Sequence, residues 1–447
     1  MKNIDTTKQY LVVGLGVTGA SCVRYLVARG CSVAVIDSRQ APPAKAQIEQ
    51  EFPQVIMHLG DLDANILSAA DVLVMSPGVP LATPAIQQAI NSGVEISSDI
   101  ELFLNEFDGK WVAITGSNAK STVTQWLGEA LMAGGHKTLI AGNIGTPVLS
   151  VVDQMFDVAV LELSSFQLEL LSQPEADVAV VLNISEDHMD RYDSLDDYRR
   201  AKLRIYEGAH HMLVNREDEL TWPEVKTSKQ LTSFGLHETD QGYGLSLHQG
   251  ELYICHNAQP VLAASQLGLP GRHNQANAMA VLALADSIGN DRSATLSSLK
   301  VFKGLPHRCQ LVAEKSGVQF FNDSKATNVG SVLAALTGLA DAEHKKIILL
   351  AGGEGKGQNF DPLIEPVAAS CKAVLLFGAD REKIQRSLSS AELVETLAQA
   401  FDRATAIAQP GDIVLLSPAC ASFDQFSGFA ARGDAFVDLV EAYDDAR

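Results

Sequence analysis

The sequence predicts an α/β protein of three domains, each built on a mainly parallel sheet. Three observations carry this. Short apolar runs of strand length alternate with stretches of helical periodicity along most of the chain, the pattern of strand–helix–strand units. That pattern breaks near residue 99 and again near residue 304. The 447 residues amount to about three domains at ~150 residues each.

Taken in order, residues 10–13 read as a buried strand, 17–29 as a helix stopped by Gly30, and 32–37 as a second strand. A further apolar run at 71–75 ends in Ser76-Pro77-Gly78. Residues 99–108 are acidic and turn-rich and are expected to be a linker, which gives a first domain at 1–98. The second block opens with a strand at 111–115. In the helix expected at 121–132, Val123, Trp126, Leu127, Ala130 and Leu131 share one face. Gly134-Gly135 ends it. Runs at 158–163 and 178–184 add strands, and the more polar alternation at 231–262 suggests a small antiparallel patch. The pattern resets at 300–305, so the second domain is expected at 99–304. Apolar runs at 346–350, 373–377 and 413–416 imply a third parallel sheet within 305–447.

Hydrophobic residues make up 46% and charged residues 20%, ordinary values for a globular protein. The formal charge of −20, from 34 basic and 54 acidic side chains, argues against nucleic acid, which needs a basic surface. Anionic small ligands remain possible, because a few focused cations and backbone amides suffice for them. The six cysteines are scattered without a CxxC, so free thiols in a reducing compartment are expected. The first residues lack the apolar core of a signal peptide. No run approaches the ~20 apolar residues of a membrane span. A cytoplasmic protein without membrane insertion is expected.

Five groups of residues carry chemistry. Gly14-Leu15-Gly16-Val17-Thr18-Gly19 follows a strand and opens a helix, and Asp37 ends the next strand. Glycines there let a backbone approach a pyrophosphate at a helix N-terminus. Alone, the group fits NAD(P) or FAD, another nucleotide, or glycines that serve only packing. Second, Gly116-Ser117-Asn118-Ala119-Lys120-Ser121-Thr122 lies between a strand and a helix. Its amides would cradle phosphates, Lys120 would neutralise them and Ser121 would ligate Mg²⁺. Ile114 and Ala119 stand where the general pattern GxxxxGK[ST] has glycine, which leaves a plain strand-to-helix turn as the alternative. Third, Glu162 lies at a strand tip, a natural Mg²⁺ ligand in an ATPase-like sheet, although most such carboxylates are simply solvated. Fourth, His188 lies in an acidic loop suited to a metal and Lys202 in a helical stretch; each alone also reads as a surface residue. Fifth come loops around Asn274 and Asn277, Arg308, Asp323 to Asn328, Lys356 and Ser422, each following or ending an apolar run. Ligand loops of α/β sheets sit in such places.

The set GSNAKST, ELSSFQLE, EDHMDRY, AKLRIYE, GLPHR, NDSKATN and SPACASFDQF, in this order and spacing, resembles the Mur ligase family from Gly14 to the segment around Phe429. The resemblance implies a Rossmann-like N-terminal domain, a central P-loop ATPase-like domain and a C-terminal Rossmann-like α/β domain. It also implies ATP-dependent amide formation through an acyl phosphate, with UDP-N-acetylmuramoyl-L-alanine and D-glutamate as substrates. By matched position, Val17, Thr18, Asp37, Ser38, Arg39 and Gly78 would contact UDP, and Asn143 and His188 would lie near the sugar substrate. Gly116 to Thr122, Asn274, Asn277, Arg308, Asp323 and Lys325 would serve ATP. Lys325, Thr327, Lys356, Ser422 and Phe429 would hold D-glutamate. Two Mg²⁺ ions are implied, one at Ser121 and Glu162, the other at His188 and a Lys202 carbamylated by CO₂. Lys120 would stabilise the transferring phosphoryl group. A monomer is expected.

Ala119 departs from the glycine usual in that family. It would cost ~1 kcal/mol where φ is positive and nothing where φ is negative. Three rival readings stand beside this one. They are a sister ligase with another amino acid, a nucleotide-dependent oxidoreductase suggested by the first glycine group, and a non-catalytic sensor.

Overall fold

A computed structural model describes residues 4–224, 230–340 and 346–443. Three sheets organise them. The first contains β1 (Gln9–Val13), β2 (Ser32–Asp37), β3 (Ile56–Leu59), β4 (Val72–Met75) and β5 (Glu95–Ser98), all parallel in the order β3-β2-β1-β4-β5. The order reverses between β1 and β4. Loops after these two strands therefore face one crevice, where open α/β sheets bind ligands. The Gly14–Gly19 segment leaves β1 there, and Ser76-Pro77-Gly78 leaves β4. Gly19 is required by packing: a Cβ on it would stand 1.9 Å from the Gly14 carbonyl oxygen.

The middle sheet has β6 (Lys110–Thr115), β7 (Thr138–Gly142), β8 (Val158–Glu162), β9 (Val178–Val181), β10 (His211–Asn215) and β11 (Gln230–Phe234) in parallel. Then follow β12 (Tyr243–His248), β13 (Glu251–His256) and β14 (Gln259–Ala263) as an antiparallel meander. The order is β14-β13-β12-β11-β10-β9-β6-β8-β7. The antiparallel patch expected at 231–262 is thus a continuation of the main sheet, and its first strand is parallel to β10. The helix Lys120–Ala133 buries Val123, Trp126, Leu127, Ala130 and Leu131, as its periodicity predicted. Trp126 stacks on Phe302, with ring centroids 4.8 Å apart.

The third sheet has β15 (Gln310–Lys315), β16 (Val318–Asn322), β17 (Ile347–Gly352), β18 (Cys371–Phe377), β19 (Glu392–Leu393) and β20 (Ile413–Leu416), in the order β15-β16-β20-β17-β18-β19. Only β15 runs antiparallel to its neighbour. The three-sheet α/β architecture is the one the sequence predicts. Among the described residues no disulfide joins any of the six cysteines. Among the described residues no helix is long and apolar enough to cross a membrane.

The linker expected at 99–108 is a correction. It is mostly the helix Asp99–Glu106. Two of the four acidic residues that suggested a loop, Asp99 and Glu101, lie in the first helical turn, where the positive end of the helix dipole favours them. The Ser98 side chain caps the helix by accepting from the Glu101 amide. Ile100, Leu102 and Phe103 are buried in a core shared by the first and middle sheets, and Phe103 stacks on Phe107 at 5.1 Å. This helix is a wedge that fixes the two lobes. Phe103→Ala is therefore expected to cost about 3–5 kcal/mol, read as a fall in the urea midpoint. A loss under about 0.5 kcal/mol, usual for an exposed site, would restore the linker reading.

Candidate active site

The phosphate-loop candidate connects β6 to the helix Lys120–Ala133. Its floor is the segment that follows β9. Ser117 and Asn118 donate their amides to the Asn183 carbonyl and side-chain oxygen, both at 2.8 Å. The Ser117 hydroxyl donates to the Ser185 carbonyl and accepts from the Ser185 amide, both at 2.9 Å. A side chain at Gly116 is disfavoured, because a Cβ would press to 3.1 Å from the Leu182 Cβ and the backbone has a φ of 155°. Beyond this anchored part, the first-turn amides of the helix have no intrahelical acceptor and form an anion seat.

Ala119 stands in the left-handed region at φ 64°, so the strained of the two sequence alternatives holds. Its methyl group packs against the core of the middle sheet.

Two lysines converge on one oxygen. The Lys120 Nζ donates to the Gly116 carbonyl at 2.9 Å and to the Ser117 carbonyl at 3.0 Å. The Lys202 Nζ donates to the same Gly116 carbonyl at 2.9 Å. Lys202 is 1% exposed and lies over the Tyr198 ring at 4.5 Å. Burial, then the charge of Lys120, hold its amine well below the ordinary lysine range. Lys120 is pushed down by burial too, against the opposing charges of Glu162 and Asp187. Two lysines read as possible surface residue and phosphate ligand thus share one buried pocket.

Glu162 ends β8. One of its oxygens accepts from the Asn143 side chain at 2.9 Å, while Oε2 is buried with no partner among the described residues. Nearby, the Arg308 Nη2 donates to the Ser121 hydroxyl at 2.5 Å. Burial lowers the Arg308 pKa. His188 has φ 57°, and its ring meets the Phe166 edge at 4.9 Å. Burial pushes its imidazole down to about 4, with the Asp187 charge opposing and Lys356, Lys120 and Lys202 adding to the fall.

The third sheet supplies the opposite wall. Lys356 pairs with Asp187 at 2.9 Å. Burial alone would raise Asp187, but Lys356 and His188 bring it to about 2. Lys325 lies 4.1 Å over the Phe429 ring, and burial, with Arg308 and Lys120 nearby, lowers it to about 8. Asp323 is raised to about 7 by burial, against hydrogen bonds from the Ser417 hydroxyl and the Cys309 amide at 2.8 and 3.0 Å. The Ser422 hydroxyl is buried without a partner among the described residues.

These groups surround one cavity of about 840 Å³. Of the residues expected at ATP, metal and D-glutamate, all but Gly116 line it, and Asn143 does as well. Val17, Thr18, Asp37, Ser38, Arg39 and Gly78 lie outside it, at the crevice of the first sheet. There Asp37 accepts from the Leu15 amide at 2.7 Å and from Arg39 at 2.6 Å, and Val17 is 73% exposed. Burial would raise Asp37, yet these bonds hold it at about 2.

Sequence reading gave no individual role to Asp187, Asn183, Asn328 or Ser331, although the first and third lie in motifs it singled out. The Asn118 side chain accepts from the Ser331 hydroxyl at 2.6 Å and from the Asn328 side chain at 3.1 Å. This joins the phosphate loop to the start of the helix Val329–Leu339. Asn328 carried a local signal, since it is an N-cap; its reach to Asn118 did not.

Comparison with known proteins gives a consistent picture. Residues 8–98 match the model of the Mur ligase MurD-like N-terminal domain, 114–285 that of the Mur ligase middle domain, and 307–420 that of the Mur ligase glutamate ligase domain. A UDP-N-acetylmuramoylalanine--D-glutamate ligase of Pseudomonas fluorescens is 48% identical over 96% of this chain and 97% of its own. One of that name from Pseudomonas syringae pv. tomato is 48% identical over 99% of both. Among solved structures, the UDP-N-acetylmuramate-alanine ligase of Thermotoga maritima shares the fold, with a TM-score of 0.61 and 20% identity over 97% of this chain and 99% of that one.

Ala119→Gly should relieve ~1–2 kcal/mol of left-handed strain. It would give back ~0.4–1 kcal/mol in unfolded-chain entropy and up to ~0.8 kcal/mol of methyl burial. The unfolding midpoint is therefore expected to move by less than about 1 kcal/mol, with kcat changed only a few-fold. A rise in kcat by orders of magnitude would mean that alanine cripples the loop.

Proposed function

The chain belongs to the Mur ligase family, and we propose that it joins D-glutamate to UDP-N-acetylmuramoyl-L-alanine, converting ATP to ADP and phosphate. The observation that carries this reading is a single cavity combining an anion-binding loop, a buried unpartnered carboxylate oxygen on Glu162 and a wall bearing Lys325, Lys356 and the unpartnered Ser422 hydroxyl. The two relatives described above bear the name of that activity. The first domain, 1–98, would hold UDP at the β1/β4 crevice, which makes the Gly14–Gly19 group a diphosphate seat rather than a dinucleotide site. The middle domain, 99–304, would bind ATP, and the C-terminal domain, 305–447, would bring the amino acid. The enzyme would act as a cytoplasmic monomer in peptidoglycan precursor synthesis, and so in cell-wall growth and division.

In this reaction the lactoyl-alanine carboxylate attacks the γ-phosphorus of ATP, ADP leaves, and the amine of D-glutamate then displaces phosphate from the acyl phosphate. Lys120 would exchange the Gly116 and Ser117 carbonyls for phosphate oxygens and stabilise the charge in transit. Arg308 can reach the same phosphates from the Ser121 hydroxyl. D-glutamate carboxylates would be met by Lys356, Lys325 and Ser422, with Thr327 and Phe429 beside them. The Asn118 bonds to Asn328 and Ser331 close the wall over the loop and help exclude water, which would hydrolyse the acyl phosphate.

Magnesium fits the first metal position, because Glu162 Oε2 and the Ser121 hydroxyl are hard oxygen donors and the former is buried without a partner. Among the described residues no group of three His, Cys, Asp or Glu has metal-binding spacing, so ATP phosphates would supply the remaining ligands. Bound Mg²⁺ supplies charge neutralisation for phosphoryl transfer. Lys202 in ammonium form cannot serve a second ion. Its buried amine, in contact with Gly116 O and no carboxylate, suits carbamylation: nitrogen adds to CO₂, a proton leaves, and an anionic oxygen donor results.

Phosphate release should require ATP, UDP-N-acetylmuramoyl-L-alanine and D-glutamate together. Turnover only with L-amino acids would point to a sister ligase, and no release with all three present to a non-catalytic protein. For Lys202, stripping CO₂ should lower the rate reversibly, and Lys202→Ala should lose roughly 100-fold or more, the range for an essential electrostatic group. Unchanged activity in Lys202→Ala would exclude the carbamate.

A further inference from the structure

Arg191 has no part in the chemistry above, yet it is held from three sides. Its Nη1 donates to the Pro77 carbonyl at 3.0 Å. Its guanidinium lies 3.8 Å over the Phe166 ring. Its Nη2 stands 3.6 Å from Glu169. Glu169 in turn accepts from the Tyr192 hydroxyl at 2.6 Å, and Tyr192 stacks on the far part of the same aromatic group, 5.9 Å from Phe166. The arginine side chain is 15% exposed.

The partners belong to two different places. Pro77 lies in the loop after β4, between Ser76 and Gly78, at the crevice proposed for UDP. Phe166 touches His188 edge-on, and His188 keeps a left-handed φ of 57° that a non-glycine residue holds only when its surroundings over-determine it. Arg191 therefore joins the support of the catalytic-loop histidine to the loop that flanks the far end of the substrate. A flat guanidinium can stack on Phe166, donate sideways to a carbonyl and still hold its charge beside a carboxylate; a lysine ammonium cannot do all three.

We propose that Arg191 is a positioning residue that sets the register between the Ser76–Gly78 loop and His188, and thereby the alignment of the UDP-sugar carboxylate. This rests on the D-glutamate ligase reading, and the wild-type omission assay tests that reading separately. Steady-state kinetics with each substrate varied in turn would decide the role of Arg191. Arg191→Met keeps length and an apolar contact with Phe166 but removes the donors. It should lower kcat/KM for the UDP-sugar about 10- to 100-fold, the range for a lost charged hydrogen bond or a displacement near 1 Å. KM for ATP and D-glutamate should stay within about 2-fold, the difference reporting on the positioning of one substrate alone. Arg191→Lys should fall between wild type and Arg191→Met. In Arg191→Ala, ethylguanidinium at tens of millimolar should restore part of the rate. The unfolding midpoint of each variant, followed in parallel, identifies any that fails to fold, and Arg191→Lys with the rescue then decides. Wild-type kinetics in Arg191→Met and Arg191→Lys, or an equal rise of KM for all three substrates without rescue, would overturn the proposal while leaving the ligase reading intact.

Discussion

The carbonyl oxygen of Gly116 receives both Lys120 and Lys202, and most of the site follows from that convergence. Two amines on one oxygen in a buried pocket repel each other in a low-dielectric setting, where such interactions are strong. Arg308 lies close enough to lower Lys325 as well. The carboxylates that face this cluster, Glu162 and Asp187, balance only part of it. The pocket is thus charged for anions before any is bound. A protein of net charge −20 keeps its cations where phosphates and carboxylates must react, and its acidic exterior says nothing about this interior. The same crowding is what the proposed carbamylation of Lys202 would relieve.

Much of this fold was legible because buried parallel strands leave continuous apolar runs. β2 and β20 matched the runs to the residue, and the face of the helix Lys120–Ala133 followed from its period. The helix Asp99–Glu106 was not legible, because acidic residues favour both loops and first helical turns, and only its packing decides between them. The continuation of the middle sheet into β12–β14 was half legible: the alternation marked exposed strands, but pairing with β11 is a property of position in space. In the site, residues such as Ser117, Glu162 and Asp323 came together because they sit at or just after strand ends, where α/β sheets collect loops, while Lys202, Asn274 and Asn277 reach the same cavity from helices. Asp187 was hidden beside His188, since a carboxylate in an acidic loop looks solvated until Lys356, 169 residues away in sequence, is brought to it. The sign of φ at Ala119 is a backbone fact with no signature in the side chain.

The segment 183–192 ties these features together. Asn183 and Ser185 seat the phosphate loop. Asp187 pairs with Lys356 and accepts from Asn328 at 3.3 Å, both on the third sheet's lobe. Arg191 reaches Pro77 on the first. Ten residues thus touch all three lobes, which suits a reaction that needs a carboxylate, a phosphate and an amine within about 3–3.5 Å of one another. The contacts are also unequal in kind. Those to the phosphate loop are backbone and short-chain hydrogen bonds, which fix geometry. Those to the third lobe are the Asn328 hydrogen bond and an ion pair with Lys356, whose loop faces the cavity, and in that ion pair a substrate carboxylate of the same charge can take the place of Asp187. The attachment to the phosphate loop is therefore fixed, while the Lys356 ion pair to the lobe proposed for the amino acid is exchangeable. Three substrates arriving separately require that division: a fixed anvil for phosphoryl transfer, and a wall that can release and re-form its contact around the incoming amine.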